Sequence, residues 1–261
     1  VNPKLSAQEL MDQVTMAGLE VDGSEPVAAG FNDKIVIGEI LTAEPHPNAD
    51  KLQVCTVSNG TETVQVVCGA PNARAGIKVA FAQIGTVFFE DNFKIKKAKL
   101  RQVESFGMLC SEKELGLSES HDGIMEIAAD APLGTNIREY LNLDDISIEV
   151  DLTPNRADCF GVIGIAREVG VLNQLEVTMP QCPAVAKEID DTFEVKLTAG
   201  EQCPNYVGRV IKNVDVTKAS PLWLKERLRR SGIRSIDPVV DVTNYVLIEL
   251  GQPMHGFDLN Q

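Results

Sequence analysis

The region between residues 30 and 140 constrains the fold most, because it is a series of short apolar runs with turn residues after each one. Glycine, proline, asparagine and aspartate separate the runs, so each run predicts a strand. Several short strands at this density favour a small closed barrel. The runs are IVIGEIL, LQVCTVS, TVQVVC, KVAFAQIGTVFF and GIMEIA.

The same region carries four motifs, from Ile35 to Gly134. None is diagnostic by itself, but their order and spacing resemble the tRNA-binding variety of OB fold. That fold occurs in several aminoacyl-tRNA synthetase subunits and in free-standing tRNA-binding proteins. The resemblance implies an OB-fold β-barrel that binds tRNA. The motifs are IVIGEILTAEPHPNADKLQV, VCGAPN, FKIKKAKLRQVESFGMLCSEKELGL and PLGT.

A run of five cations without an acid lies in the third motif, and we name it the basic stripe. On a regular strand its first two members would face one side and its last three the other, unless a bend intervenes. The stripe is a candidate for contacts to tRNA phosphates. A charged edge that discourages pairing with another strand is an equally open interpretation. The stripe comprises Lys94, Lys96, Lys97, Lys99 and Arg101.

The balance of charge limits how nucleic acid can bind. The 261-residue chain has 24 basic and 38 acidic residues and a net charge of −14, and residues 30–140 carry 11 basic and 15 acidic residues, a net charge of −4. A surface that binds nucleic acid everywhere is therefore excluded, and any tRNA contact must come from a local basic patch. Aromatic residues for base stacking are few in this region: Phe81, Phe88, Phe89, Phe93 and Phe106.

The sequence favours neither a membrane nor a metal site. No apolar run approaches the roughly 20 residues that span a bilayer. The six cysteines include no C-x-x-C pair and only three histidines are present, so the cysteines are interpreted as reduced, mostly buried thiols of a cytoplasmic protein. His46, in HPNADKL, is expected to structure its loop rather than to bind a metal or act in catalysis.

Helical patterns lie outside the barrel region. Residues 5–18 predict a helix with a capping box of Ser6 and Glu9. A second helix is expected over residues 158–173, with Asp158 as a possible cap, and a linker follows it. From residue 193 the pattern is β-rich. SPLWLKERLRRSG then predicts a helix capped by Ser220, and DVTNYVLIELG predicts a last helix.

Three further segments resemble the β subunits of bacterial phenylalanyl-tRNA synthetases. They are MAGLEVDG, TPNRADCFGVIGIAREVGVLNQ and GIRSIDPVVDVTNYVLIELGQPMHGFD. The resemblance implies a cytoplasmic α2β2 heterotetramer that attaches phenylalanine to tRNA(Phe) with ATP and Mg²⁺. It places the aminoacylation site on the α subunit, so neither ATP nor Mg²⁺ is expected to bind this chain. A metal site, a membrane or DNA is not expected as a partner either.

The resemblance also implies an α+β multidomain N-terminal fragment, about a third of a β subunit. Residues 30–140 would form the OB barrel, inserted into a small helical domain of residues 1–29 and 141–190. Residues 191–261 would form the N-terminal part of a β-rich editing domain. Close chain ends make such an insertion tolerable.

Members of this family hydrolyse tyrosine that is wrongly esterified to the tRNA, because a hydrophobic synthetic pocket rejects an added hydroxyl poorly. Thr243, Asn244 and His255 match editing-pocket positions. The acidic residue that the family uses against the phenol is expected beyond Gln261, so the chain by itself is expected not to edit.

Two other functions stay open from the residues. One is an RNA-binding or chaperone module, although the sequence after residue 150 argues against a free-standing one. The other is a subunit-assembly platform with little RNA binding, which the acidic balance favours. A second basic group either complements a helix C-terminus or contacts the tRNA acceptor arm. It comprises Arg227, Arg229, Arg230 and Arg234.

Overall fold

The structure is a computed structural model that describes residues 1–119 and 122–259; the last two residues of the third expected domain lie outside this part. The helices are α1 Ala7–Met16, α2 Ile137–Leu141, α3 Val162–Asn173, α4 Leu222–Arg230 and α5 Pro238–Leu250, with a 3₁₀ helix at Pro154–Cys159. The strands are β1 Glu20–Pro26, β2 Ile35–Pro45, β3 Gln53–Ser58, β4 Thr63–Cys68, β5 Lys78–Ala82, β6 Val87–Phe88, β7 Phe93–Lys94, β8 Ala98–Leu100, β9 Val103–Ser105, β10 Met108–Leu109, β11 Glu126–Ile127 and β12 Ile146–Asp151.

The short runs of the barrel region form one antiparallel sheet in the order β10-β5-β2-β3-β4, with β11 also pairing with β5. Its two ends approach each other, since the backbone N–H of Phe106, just before β10, donates to the carbonyl of Gln65 on β4 at 2.8 Å. The N–H of Val67 also donates to the Ser105 hydroxyl at 3.0 Å. The sheet is therefore nearly closed, as the sequence predicted.

The first half of the central strand β2 is buried on both faces, which explains its nearly unbroken apolar run. Val36 and Ile40 pack inside the barrel with Phe81 and other side chains of the sheet. Ile35 and Ile37 face a second core, which is covered by the chain around Phe88, Leu115, Met125, Ile137 and Leu143. A strand that is covered on both sides loses the usual alternation of apolar and polar residues.

The segments before and after the barrel meet. Strand β1 pairs antiparallel with β12 over the register Glu20↔Asp151 to Pro26↔Ile146. Beside this ladder, Val14 of α1 and Val169 of α3 share a small buried core. This ladder is not predicted from the sequence, because the partner of β1 lies on the far side of the barrel region in sequence.

Of the three helix caps predicted from the sequence, only the capping box of α1 is confirmed. Ser6 and Glu9 form the capping box of α1, and Gly251, with φ 70°, ends α5. The prediction for Ser220 was wrong: its hydroxyl donates to the buried Asp241 carboxylate, and Pro221 takes the cap position. Asp158 was also wrong as a cap, because the helix starts later and Asp158 pairs with an arginine.

The β-rich pattern from residue 193 does not form strands: between β12 and residue 259 only helices and irregular chain are described. Phe193, Val195 and Leu197 alternate as strand residues would, yet they are 68%, 45% and 43% exposed. The physical reason is that a strand forms only where another strand receives its backbone N–H and C=O groups. None of the described strands pairs with this segment.

Candidate nucleic-acid interface

The basic stripe does not lie on one straight strand. Lys94 ends the β6–β7 hairpin, and Lys99 lies in the β8–β9 hairpin. Between them Ile95 is buried, and its backbone N–H donates to the carbonyl of Thr86 at 2.8 Å while its carbonyl accepts from Gly85 at 2.8 Å. This anchor breaks the strand, so the two-sided alternation that a regular strand would give does not apply.

All five side chains of the stripe are exposed, but they are not equivalent. Lys97 pairs with Glu104 at 2.8 Å, and its ammonium lies 4.8 Å from the centroid of the Phe106 ring. The other four, Lys94, Lys96, Lys99 and Arg101, form no ion pair with any residue in the described part of the chain. These four cations are therefore available to an external anion, and Lys97 is partly neutralised within the protein.

The turn of the β8–β9 hairpin is tightly built. Arg101 and Gln102 have φ of 47° and 76°, and they join the paired residues Leu100 and Val103. Two successive residues with positive φ are typical of a type I′ turn, which suits the twist of a hairpin. Neither residue is a glycine, so other contacts must hold this backbone in place.

Those contacts come from the HPNADKL motif. His46 is buried and its Nε2 lies 3.1 Å from the carbonyl oxygen of Leu100. Its Nδ1 accepts from the backbone N–H of Asn48 at 3.0 Å, and the Asn48 amide donates to the Arg101 carbonyl at 3.2 Å. The prediction that His46 structures its loop is confirmed. The sequence did not show that it also reaches the basic hairpin.

The five aromatic candidates for base stacking differ in exposure, and Phe106, next to Lys97, is half-buried. Phe81 and Phe88 are buried. Phe93 and Phe89 are 53% and 59% exposed, at the end of the stripe where Lys94 lies. An exposed ring beside a lysine is a surface on which an unpaired base can stack. The acidic residues Glu90 and Asp91 lie in the same hairpin loop and oppose an anionic ligand there.

The expected editing residues lie on and after α5. Thr243 is part-buried and its hydroxyl donates to the carbonyl of Val240 at 2.8 Å, one helical turn back. Asn244 follows it on the helix. His255 is exposed in the irregular chain after α5, where its ring lies 6.3 Å from that of Phe257. No described contact joins His255 to Thr243 or Asn244, and their shared role stays a prediction.

The four arginines of the second basic group, on and just after α4, have different surroundings. Arg229 donates to the carbonyl of Val27 at 2.6 Å. Arg230 donates to the carbonyls of Leu141 and Asn142, at 2.8 and 3.2 Å, and so complements the C-terminal end of α2. Arg227 and Arg234 are exposed. Two of the four arginines therefore fasten α4 to the chain segments that flank the barrel.

The cysteines are free and four of the six are buried, as expected. Burial, and secondly the neighbouring Cys68, raises the pKa of the Cys55 thiol to about 11. At neutral pH such a thiol is almost entirely protonated and is therefore a poor nucleophile. Within residues 1–119 and 122–259 no group of three metal-binding side chains comes together. In the same ranges, no helix has the length and apolarity to cross a membrane.

Comparison with known protein families finds matches for two regions of the chain. The family described as putative tRNA binding domain matches residues 35–136, which contain the barrel and the basic stripe. The family described as B3/4 domain matches residues 202–261, which contain α4 and α5. Whole-chain relatives are the deciding observation. A phenylalanine–tRNA ligase beta subunit from Hahella chejuensis is 62% identical over 261 residues, 100% of this chain and 33% of the relative.

The chain belongs to the family of phenylalanine–tRNA ligase beta subunits. The relative from Idiomarina loihiensis is also 62% identical, over 100% of this chain and 33% of its own length. That from Pseudomonas putida is 61% identical over 99% of this chain and 32% of its own length. The chain thus spans about a third of the length of the curated beta subunits that it matches. A solved MetRS related protein from Pyrococcus horikoshii is 24% identical, covering 40% of this chain and 87% of its own, with a TM-score of 0.31.

Proposed function

We propose that this part of a phenylalanine–tRNA ligase beta subunit binds tRNA through the basic stripe on an OB-fold barrel. The barrel would comprise residues 30–140, inserted into a small domain of residues 1–29 and 141–190. Residues 191–261 would belong to the editing domain. The antiparallel pairing of β1 with β12 supports the insertion, because it joins the segments that flank the barrel.

One observation carries the proposal: four exposed cations within eight residues of the chain form no ion pair with any described residue, although the net charge of the chain is −14. These four charges lack the partial neutralisation that Glu104 gives to Lys97, so they can pair with an external anion. Phosphates of a folded tRNA are anions of the right kind, and each neutralised phosphate releases a counterion.

In the complete enzyme we place this chain in a cytoplasmic α2β2 assembly that attaches phenylalanine to tRNA(Phe). ATP and Mg²⁺ would act on the α subunit. The described residues offer no cluster of three metal ligands here. The part of this chain in that reaction would be to hold the tRNA, and to contribute to the removal of tyrosine from mischarged tRNA.

The proposal is tested by measuring the affinity of the 261-residue chain for tRNA(Phe) at one salt concentration. Changing Lys94, Lys96, Lys99 and Arg101 to alanine should weaken binding roughly 10- to 100-fold, because four phosphate contacts are lost. The control variant changes Lys4, Lys187, Lys212 and Lys218, which are exposed and outside the barrel, and so alters net charge equally. Equal effects of the two variants would contradict a local contact.

The proposed editing role makes a separate prediction. The 261-residue chain should not hydrolyse Tyr-tRNA above the rate in buffer, because the Thr243 hydroxyl is bound to its own helix and His255 lies exposed without a described polar contact. The complete α2β2 enzyme serves as the positive control. Measurable hydrolysis by the chain alone would show that these residues already form a working pocket.

A second function, a platform for subunit assembly, is favoured by exposed apolar side chains. Val207 and Ile211 are 84% and 68% exposed in the irregular segment before α4, and Phe160 is 68% exposed before α3. Such residues suit contact with another chain or segment. On this alternative the barrel would bind tRNA weakly or not at all, and the affinity measurement distinguishes the two.

A further inference from the structure

We propose that His46 and Asn48 are positioning residues for tRNA binding: they hold the β8–β9 turn so that Lys99 and Arg101 face the ligand. This inference rests on the proposed function, because it needs the basic stripe to contact tRNA. It assigns to the HPNADKL motif a role that neither its sequence nor the tRNA-binding match defines.

The geometry of His46 fixes which nitrogen carries the proton. Its Nδ1 lies 3.0 Å from the backbone nitrogen of Asn48, whose N–H can only donate. Nδ1 therefore accepts, and in the neutral ring Nε2 carries the hydrogen. Nε2 then donates to the carbonyl of Leu100 at 3.1 Å. The ring is 6% exposed, so water does not compete well for either contact.

Asn48 extends the same contact to the next residue. Its side-chain amide donates to the carbonyl of Arg101 at 3.2 Å. Two consecutive carbonyls, those of Leu100 and Arg101, are thus held by one loop. They lie at the start of the turn, where Arg101 and Gln102 take positive φ without being glycines. Such a backbone persists only when its surroundings over-determine it.

The base of the hairpin is held independently of the tip. The Gln65 amide donates to the carbonyl of Glu104 at 2.7 Å, and the N–H of Phe106 donates to the carbonyl of Gln65 at 2.8 Å. Removing the tip contacts should therefore free the turn and leave the barrel folded. The cations affected are Lys99 and Arg101, whereas Lys94 lies in the other hairpin.

The test is a double-mutant cycle on tRNA(Phe) affinity with the 261-residue chain. Asn48 is exposed, so Asn48→Ala removes one amide without opening a core. We expect it to weaken binding about 2- to 10-fold, the range that one lost hydrogen bond gives. In a background of Lys99→Ala and Arg101→Ala the same change should have no effect, because nothing remains to be positioned. His46→Ala should repeat both results.

Two controls keep the cycle interpretable. Asn205→Ala changes an exposed asparagine far along the chain and should leave affinity unchanged. Amide hydrogen exchange should accelerate at residues 100–103 in Asn48→Ala, with the amides of β2 to β5 unaffected. Acceleration throughout the barrel would mean general destabilisation and would overturn the positioning role.

The results distinguish a failure of the positioning role from a failure of the proposed tRNA binding by the basic stripe. If the variant with Lys99 and Arg101 changed to alanine binds tRNA(Phe) as tightly as the unaltered chain, these two residues do not contact the tRNA. That result would contradict the positioning role, and also the proposed function for this half of the basic stripe. If that variant weakens binding but Asn48→Ala and His46→Ala do not, the proposed function stands and the positioning role is wrong. An equal loss in both backgrounds would also overturn it.

Discussion

Asp241, on α5, connects three separate parts of the C-terminal chain through its carboxylate. Its carboxylate has no exposure to solvent and accepts from the hydroxyls of Ser220 and Ser235, each at 2.5 Å. The backbone N–H of Ile236 donates to its other oxygen at 2.9 Å. One side chain thus ties the start of α4 to the loop that leads into α5. No sequence pattern marked it, because its partners are serines that look like caps or loop residues.

We expect Asp241→Asn to lower the free energy of unfolding by roughly 1–3 kcal/mol. The amide cannot accept at both ends, so a buried donor loses its partner. Urea unfolding monitored by the fluorescence of Trp223, which packs on Tyr245 between these two helices, measures the change. Asp22→Asn, at an exposed strand position, is the matched control and should have little effect.

The same carboxylate makes stability depend on acid. Burial acts to raise the pKa of Asp241, but the hydrogen bonds from Ser220, Ser235 and Ile236, with the charge of Lys225, hold it below its ordinary value. Because the pKa of Asp241 is lower in the folded protein than in the unfolded chain, where it is about 3.9, the ionised carboxylate stabilises the fold. This stabilisation is complete above the unfolded-state pKa and is lost as the pH falls through the folded-state pKa.

Unfolding free energies at pH 7 and at successive values below pH 4 therefore form a second test. The unaltered chain should lose stability over this window, and Asp241→Asn should lose less. Identical acid dependence in the two proteins would show that this carboxylate is not a source of the effect.

Gly164 in α3 allows the helix to approach the chain before it. A Cβ at this position would lie 2.8 Å from the Cα of Cys159, closer than real Cβ contacts. We expect Gly164→Ala to cost roughly 1–3 kcal/mol, because the 3₁₀ helix has to shift. Gly208→Ala is the control, since a Cβ added at that position would have no atom within 4 Å. Thermal unfolding of both variants decides whether close packing or simple helix propensity governs this position.

Among the elements, α4 is fastened to the rest of the molecule by its arginines. Arg230 donates to the carbonyls of Leu141 and Asn142, and Lys225 pairs with Glu112 at 3.3 Å. Leu222 packs against the core outside the barrel. These contacts give a structural reason for basic residues that the sequence alone also allowed as tRNA contacts.

We therefore expect Arg230→Ala to loosen α4 without weakening tRNA binding. The lost contacts should speed proteolysis and amide exchange in α4 and around the end of α2. Arg227→Ala, an exposed change on the same helix, should leave exchange unaltered. A large fall in tRNA affinity for Arg230→Ala with unchanged exchange would support the acceptor-arm contact instead.

How far the elements could be predicted depended on where their partners lie. The strands β2 to β5 follow from local runs and turn residues. β2, β3 and β4 pair with their neighbours in sequence, whereas β5 pairs with β2 across the two strands between them. The β1–β12 ladder could not be predicted, because Glu20 and Asp151 are brought together by the folding of the whole barrel between them.

In the candidate site, the cations of the basic stripe could be identified from the sequence. That Lys97 is paired while Lys99 is not depends on hairpin register and side-chain direction.

At the scale of the whole molecule, the net charge of −14 opposes the binding of tRNA, the proposed polyanionic ligand. Long-range repulsion opposes association, and only local contacts can overcome it. The salt dependence of binding separates these terms, because phosphate contacts give a slope of log affinity against log salt in proportion to their number. Assembly through apolar contacts has no such dependence.

The most direct test is thus a salt series of tRNA(Phe) binding to the 261-residue chain and to the variant with Lys94, Lys96, Lys99 and Arg101 changed to alanine. If each cation contacts one phosphate, the slope should be smaller in magnitude by about 3 in the variant. A slope near zero for the unaltered chain, or the same slope for both proteins, would contradict tRNA binding by the basic stripe.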